Sequence, residues 1–120
     1  MPVIISRTAI EGQISQAAQV PMNDYLFLMH NDVTDDSRSR DNDWAAYISK
    51  LQQAGVFQGG SAIGDGVCMT KNGTPPGITT QLSGFIRVQA ESLSKAQQLV
   101  QGNPVFEAGG TVEIRELPKT

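Results

Sequence analysis

The chain has 120 residues, with nine Lys and Arg against twelve Asp and Glu, a formal net charge of −3, one His and one Cys. A chain of this length is expected to form one domain with its own hydrophobic core. So few cations argue against a surface that displaces the counterions of nucleic acid. One Cys and one His exclude an intrachain disulfide, a Cys-rich zinc site and a multi-His metal site, and we expect no metal or cofactor.

The sequence has no run of apolar residues long enough to span a membrane. The longest such run, residues 25–29, is the length of a strand, whereas a membrane helix needs roughly 18 or more apolar residues. The apolar stretch at residues 3–5 is too short for the core of a signal peptide. We therefore expect a cytoplasmic protein without a membrane partner.

The first 22 residues differ in pattern from the rest of the chain. Residues 8–11 have the spacing of a helix capping box, and the apolar residues that follow recur at helical intervals. This predicts an N-terminal arm, residues 1–22, with a short helix at 9–19, followed by a domain over 23–120. The alternative is that Met22 is the natural start and the arm is accidental.

The first half of the domain predicts a strand and then a helix. The apolar run at 25–30 ends at His30 and is typical of a central strand buried on both faces or nearly so. A polar loop covers residues 31–43. Helical spacing follows, with a glycine where a left-handed cap belongs; the residues are Trp44, Tyr47, Ile48, Leu51 and Gly55.

The second half predicts two strands, a helix and a strand. An extended stretch begins at residue 56, is interrupted by glycines and ends at the Asn72-Gly73 turn, before an irregular Thr-Pro-Pro-Gly loop. Residues 84–90 alternate as a half-buried strand does. Ser92 caps a helix that extends to residue 100, and residues 111–115 alternate again.

This order of elements predicts an α+β, ferredoxin-like βαββαβ fold with a four-stranded antiparallel sheet. Both helices lie on one face of such a sheet, so the opposite face needs a cover. A second copy of the chain, packed sheet to sheet as a homodimer, would supply it.

Several motifs in this order resemble the YCII-related family, and most closely its DGPF-type branch. The matching residues run from the Trp44 helix to the final strand, over about residues 24–118; they are Trp44-x-x-Tyr47-x-x-x-Leu51-x-x-x-Gly55-x-x-x-Gly59-Gly60, Leu82-x-Gly84-Phe85, Asn103-Pro104 and Gly109-Gly110-x-Val112-Glu113-Ile114-Arg115. The resemblance implies a dimeric α/β barrel whose two sheets enclose pockets. It also implies a His–Asp acid–base pair, but Trp44 and Asn103 stand at those positions, and neither side chain exchanges protons near neutral pH.

Two residues are candidates for replacement acid–base chemistry. His30 is the only side chain that titrates near neutral pH without perturbation, and it lies at the end of the first predicted strand. Asp65 lies between two glycines in a stretch that is expected to bulge, where a side chain is often redirected towards a site. The alternatives are a His bonded to the backbone and an Asp that satisfies a turn.

Five further residues are candidate ligand contacts in the pocket between the sheets. Trp44, Ser61 and Asn103 come from the helix, the glycine-rich stretch and the Asn-Pro motif. Arg87 and Arg115 alternate away from the apolar positions of their strands; they either bind an anion or form cross-strand charge pairs with Glu113.

These features predict a homodimer that binds a small polar organic molecule between its sheets as a noncatalytic or regulatory module. The alternative is a small cofactor-free lyase, dehydrochlorinase-like enzyme or isomerase with His30 as general acid or base.

Overall fold

The computed structural model describes residues 21–35 and 40–119. The predicted N-terminal helix at 9–19 lies outside these residues. The described elements, in chain order, are β1 (Asn23–His30), α1 (Arg40–Gln53), β2 (Phe57–Ala62), β3 (Leu82–Ala90), α2 (Leu93–Gln98), α3 (Pro104–Glu107) and β4 (Val112–Leu117). Within these same stretches, no helix has both the length and the hydropathy that crossing a bilayer requires.

The four strands form one antiparallel sheet in the order β2-β3-β1-β4. With the helices inserted between the strands, this is the ferredoxin-like arrangement, and the predicted fold class is confirmed. β1 occupies a central position and pairs with β3 and β4 along nearly its whole length.

The alternation of β1 separates a buried face from a half-open one. Tyr25, Phe27 and Met29 are buried against the helices, whereas Leu26 and Leu28 between them are only partly covered. The prediction that this strand is buried on both faces is therefore only partly right, because the described chain covers one face alone.

The core fills the space between the sheet and the helices. α1 contributes Tyr47 and Leu51 from one side, with acidic residues in its first turn and Lys50 in its last, as the helix dipole favours. Gly55 follows the helix with a φ of 75°, in the left-handed region that a helix end favours. The buried members of this core cluster are Tyr25, Phe27, Met29, Tyr47, Leu51, Ile86, Val88, Ala90, Ala96, Val100 and Val105.

The second strand is shorter than the sequence predicts. β2 ends at Ala62, and residues 63–81 have no regular secondary structure, although the prediction extended the strand to the Asn72-Gly73 turn. Glycines at 64 and 66 and prolines at 75 and 76 explain the difference, since neither residue type supports a continuous ladder.

The segment after β3 also contains a short helix that the sequence pattern does not predict. α2 begins as expected, with the Ser92 hydroxyl accepting a hydrogen bond from the N–H of Lys95 (3.2 Å). After α2, Asn103 starts the short helix α3, with Pro104 in its first turn. Pro104 therefore begins a helix here, which is the position where proline costs least.

Candidate functional site

The main candidate site is a cavity of about 410 Å³ on the helix side of the sheet. It lies between α1 and the part of the sheet formed by β2 and β3, with contributions from β1 and α3. We call it the helix-side cavity. Its lining residues are Met29, Trp44, Ile48, Phe57, Gly60, Ser61, Ala62, Ser83, Gly84, Phe85, Ile86 and Val105.

The lining of the helix-side cavity is mostly apolar. Among the described residues, no lining residue is an acid, a base or a histidine. The two lining serines donate their hydroxyl groups to backbone carbonyl oxygens, Ser61 to that of Ala62 (2.8 Å) and Ser83 to that of Met29 (3.4 Å). Trp44 is the largest lining side chain, and its ring meets that of Tyr47 edge to face, with 5.9 Å between ring centres. Such a wall favours an apolar or aromatic ligand over a charged one.

Gly60 allows the two strands beside the cavity to approach closely. A Cβ atom at this position would lie 2.5 Å from the carbonyl oxygen of Phe85 and 2.7 Å from Cγ2 of Ile86. Because the first of these atoms belongs to the backbone, no side-chain rotation can relieve the contact. The geometry of the cavity wall therefore depends on glycine at this position.

Behind the cavity, Asn103 is buried as a structural residue. Its Oδ1 accepts hydrogen bonds from the N–H groups of Val105 (2.9 Å) and Phe106 (3.2 Å), which caps α3. Its Nδ2 is buried and has no partner with hydrogen-bond geometry. Asn103 is fully buried and does not line the cavity, so its predicted role as a direct ligand contact has no support in this geometry.

Tyr47 joins the first helix to the end of the second. Its hydroxyl donates a hydrogen bond to the carbonyl oxygen of Leu99 (2.7 Å). Burial raises the pKa of Tyr47 to about 12, and the nearby amide of Asn103 offsets part of that rise. Tyr47 is therefore a neutral structural donor at physiological pH.

A second cluster of polar residues lies on the open face of the sheet. His30 Nε2 and Glu113 Oε1 are 2.9 Å apart, and the other oxygen of Glu113 accepts a hydrogen bond from Arg115 (3.2 Å). The hydrogen bond with His30, and then that with Arg115, lower the pKa of Glu113. We call His30, Glu113 and Arg115 the open-face cluster.

Asp32 is held close to the open-face cluster at the end of β1. Its carboxylate accepts hydrogen bonds from the backbone N–H (2.8 Å) and the hydroxyl (2.7 Å) of Thr111. These bonds are the main cause of a lowered pKa for Asp32, and the charge of His30 adds a smaller effect. The hydrogen bonds between Asp32 and Thr111 therefore connect the residues just after β1 to the residue just before β4.

The predicted site residues therefore divide between two faces of the sheet. Trp44 and Ser61 line the helix-side cavity, whereas His30, Arg87 and Arg115 belong to the opposite side. A pocket between two sheets requires a second copy and stays a prediction. The helix-side cavity lies on the other side of the sheet.

The predicted pairing of His30 with Asp65 is replaced by the pairing of His30 with Glu113. Asp65 is an exposed residue of the loop after β2, and no hydrogen bond or ion pair between the described residues joins it to His30. From the sequence alone, Glu113 is only a possible charge partner of Arg87 or Arg115. Its contact with His30 depends on the register of β4 against β1, which alternation alone does not fix.

The antiparallel sheet, the helices on one of its faces and the cavity beneath α1 define an α+β domain of the ferredoxin-like class. A family model described as the YCII-related domain matches residues 24–119, and the chain belongs to this family. The predicted DGPF-type branch is consistent with that match. A comparison with curated proteins found no match.

Proposed function

We propose that this protein is a noncatalytic binding module that holds a small, largely apolar organic molecule in the helix-side cavity. The observation that carries the proposal is a cavity wall without any acid, base or histidine among the described residues. Trp44 stands where the family resemblance places the acid–base His, and Asn103, at the Asp position, is engaged in capping α3. General acid–base catalysis needs a positioned titratable group, and this wall offers none.

The size of the cavity limits the class of ligand. A volume of about 410 Å³ lies in the lower part of the range of about 300–1,000 Å³ that is usual for small-molecule sites. A molecule of one or two rings with few polar groups suits this volume and wall. The hydroxyl groups of Ser61 and Ser83 already donate to backbone carbonyl oxygens, so this wall favours a ligand that needs few hydrogen bonds. The ligand proposed here is thus less polar than the sequence alone indicated.

The proposal includes a homodimer formed through the open face of the sheet. The apolar residues Leu26 and Leu28 are only half covered there, because no described helix packs on that side. Leu26 lies between Arg87 and Arg115 in the register of the sheet, so charged side chains surround an apolar centre. An apolar centre with a charged rim supports a self-association surface.

Binding can be tested with N-phenyl-1-naphthylamine, a neutral fluorescent probe, and with the emission of Trp44, the only tryptophan of the chain. We expect saturable binding that quenches Trp44 by energy transfer to the probe. Ala62→Leu places extra volume at the cavity wall and is expected to weaken binding at least tenfold. Ala54→Leu, at an exposed position outside the cavity lining, is the matched control and leaves affinity unchanged.

Two results would contradict the proposed site. One is the absence of saturable binding by the parent protein. The other is equal affinity in the Ala62→Leu and Ala54→Leu variants, since the probe would then occupy a different surface. His30→Gln is expected to bind the probe as the parent does, because His30 lies across the sheet from the cavity.

A second candidate function is general acid–base catalysis by the open-face cluster. The contact of 2.9 Å between His30 and Glu113 favours it, because a carboxylate that fixes an imidazole is a recurring catalytic arrangement. Incubation of the protein with a metabolite mixture, followed by mass spectrometry, separates the two functions. Consumption of a metabolite by the parent but not by His30→Gln would establish catalysis, whereas no consumption is the outcome expected of a binding module.

A further inference from the structure

The loop between β2 and β3, residues 63–81, carries exposed apolar side chains. Val67 is 83% exposed and Met69 is 90% exposed, although both residue types are usually buried. Cys68 between them is only partly exposed. We call residues 63–81 the strap.

Both ends of the strap are attached at the helix-side cavity. Ala62 directly before it and Ser83 shortly after it line that cavity. The N–H of Ile63 bonds to the carbonyl oxygen of Ser83 (3.0 Å), and the N–H of Asn31 bonds to that of Gln81, which fixes the two ends.

Between its ends the strap is weakly held. Among the hydrogen bonds of the described residues, the one inside the strap joins the Cys68 thiol to the carbonyl oxygen of Gly77 at 3.6 Å, and a thiol is a weak donor. A Cβ atom added at Gly64 or Gly66 would meet nothing within 4 Å, so this part of the strap is not packed against the domain. Few contacts and exposed backbone are the properties of a segment that moves at low cost.

We propose that Val67 and Met69 are ligand-contact residues that close over the open side of the helix-side cavity when a ligand occupies it. This inference rests on the proposed function. A cavity of 410 Å³ is about 9 Å across if it is spherical, and the five residues that follow Ala62, up to Val67, span roughly 17 Å when extended. The strap is therefore long enough to bring both side chains over the cavity while its ends stay attached.

The closure has a physical driving force. An apolar ligand in the open cavity keeps one of its own sides in contact with water. The exposed side chains of Val67 and Met69 are also in contact with water. Bringing these surfaces together removes both from solvent, which the hydrophobic effect favours. In the absence of ligand the same movement would enclose a void, where the side chains find few packing partners.

The first test measures the affinity for N-phenyl-1-naphthylamine in the double variant Val67→Ser and Met69→Ser. We expect at least a tenfold loss of affinity, with an unchanged urea midpoint because both side chains are exposed. Leu93→Ser removes another exposed apolar side chain, 52% exposed on α2 and outside the cavity lining, and is the matched control with no expected loss.

The second test follows the strap itself through Cys68, the only cysteine of the chain. Its reaction with 5,5′-dithiobis(2-nitrobenzoate) is expected to slow at least severalfold when the probe saturates the cavity. A Cys68→Ser variant with Ala54→Cys provides a thiol away from the strap and is expected to react at the same rate with and without the probe.

The outcomes separate this inference from the proposed function. If the parent binds the probe but the double variant binds equally well, or Cys68 reacts at an unchanged rate, the strap does not contact the ligand and the inference is wrong while the binding module stands. If the double variant instead changes only the sedimentation coefficient, Val67 and Met69 contact another protein copy, and the inference is also wrong. If the parent does not bind, both proposals fail.

Discussion

Replacing Tyr47 with Phe tests the buried hydroxyl that joins α1 to the end of α2. At pH 7 the variant loses the hydrogen bond of 2.7 Å to the carbonyl oxygen of Leu99. A net loss of about 1–2 kcal/mol in the free energy of unfolding follows, since a hydrogen bond contributes about 1 kcal/mol and a carbonyl left without a donor adds a penalty.

The same substitution has the opposite effect at high pH. Burial raises the pKa of Tyr47 to about 12, from 10.0 for an exposed tyrosine. Between these values the unfolded chain releases the phenol proton and the folded chain keeps it, so stability falls as the pH rises. By about pH 11.5 the loss amounts to about 2 kcal/mol. A phenylalanine at this position does not undergo that loss.

Urea unfolding of both proteins, followed by circular dichroism at pH 7 and about pH 11.5, measures the two effects. The parent is expected to be more stable at pH 7, and the difference is expected to vanish or change sign at high pH. Destabilisation by other groups that titrate at high pH is common to both proteins and cancels in the difference. A gap of equal size at both pH values would show that the Tyr47 hydroxyl is not a buried neutral donor.

Three further substitutions test other parts of the structure. Gly60→Ala is expected to lower the thermal midpoint by several degrees, because its Cβ meets a neighbouring backbone oxygen at 2.5 Å. The control Gly64→Ala, whose Cβ lies in open space, is expected to leave the midpoint unchanged. Equal midpoints of the two variants would refute the close approach at Gly60. Asp32→Asn is expected to lower stability at pH 7 and to have a much smaller effect at about pH 2. Hydrogen bonds from Thr111 lower the pKa of Asp32, so their contribution is present above the unfolded pKa and is lost as the pH falls through the folded pKa. Urea midpoints at both pH values measure this, and a deficit of the same size in acid would contradict it. Leu28→Glu places a charge at the centre of the open face and is expected to shift the sedimenting species to the monomer mass of 12.9 kDa; a parent that already sediments at this mass would refute the homodimer.

The fold was largely predictable because its signals are local. The spacing of Trp44, Tyr47 and Leu51 marks one helix, and the cap at Ser92 marks another, while alternation marks β3 and β4. Each of these patterns reflects the residue period of a single helix or strand. The order of elements can therefore be predicted without any knowledge of tertiary contacts.

The site was less predictable because it depends on contacts between distant residues. The pairing of His30 with Glu113 follows from the register of two strands 83 residues apart. The helix-side cavity is lined in part by Gly60 and Gly84, and glycine in a strand does not by itself indicate an empty volume beside it. Asn103 was assigned to the ligand through its motif, but its burial as a helix cap depends on α3, a helix of one turn that periodicity cannot detect.

The position of β1 in the sheet has a consequence for how the protein is made. On the ribosome, β1 emerges first among the described strands, yet both of its sheet neighbours are encoded downstream, and β4 begins only at Val112. Its apolar residues therefore have no backbone partners in the sheet until most of the domain has been synthesised. Such long-range pairing slows folding and leaves the nascent strand open to other chains. A stalled or prematurely terminated product is expected to be a substrate for chaperones and proteases rather than a partly active protein.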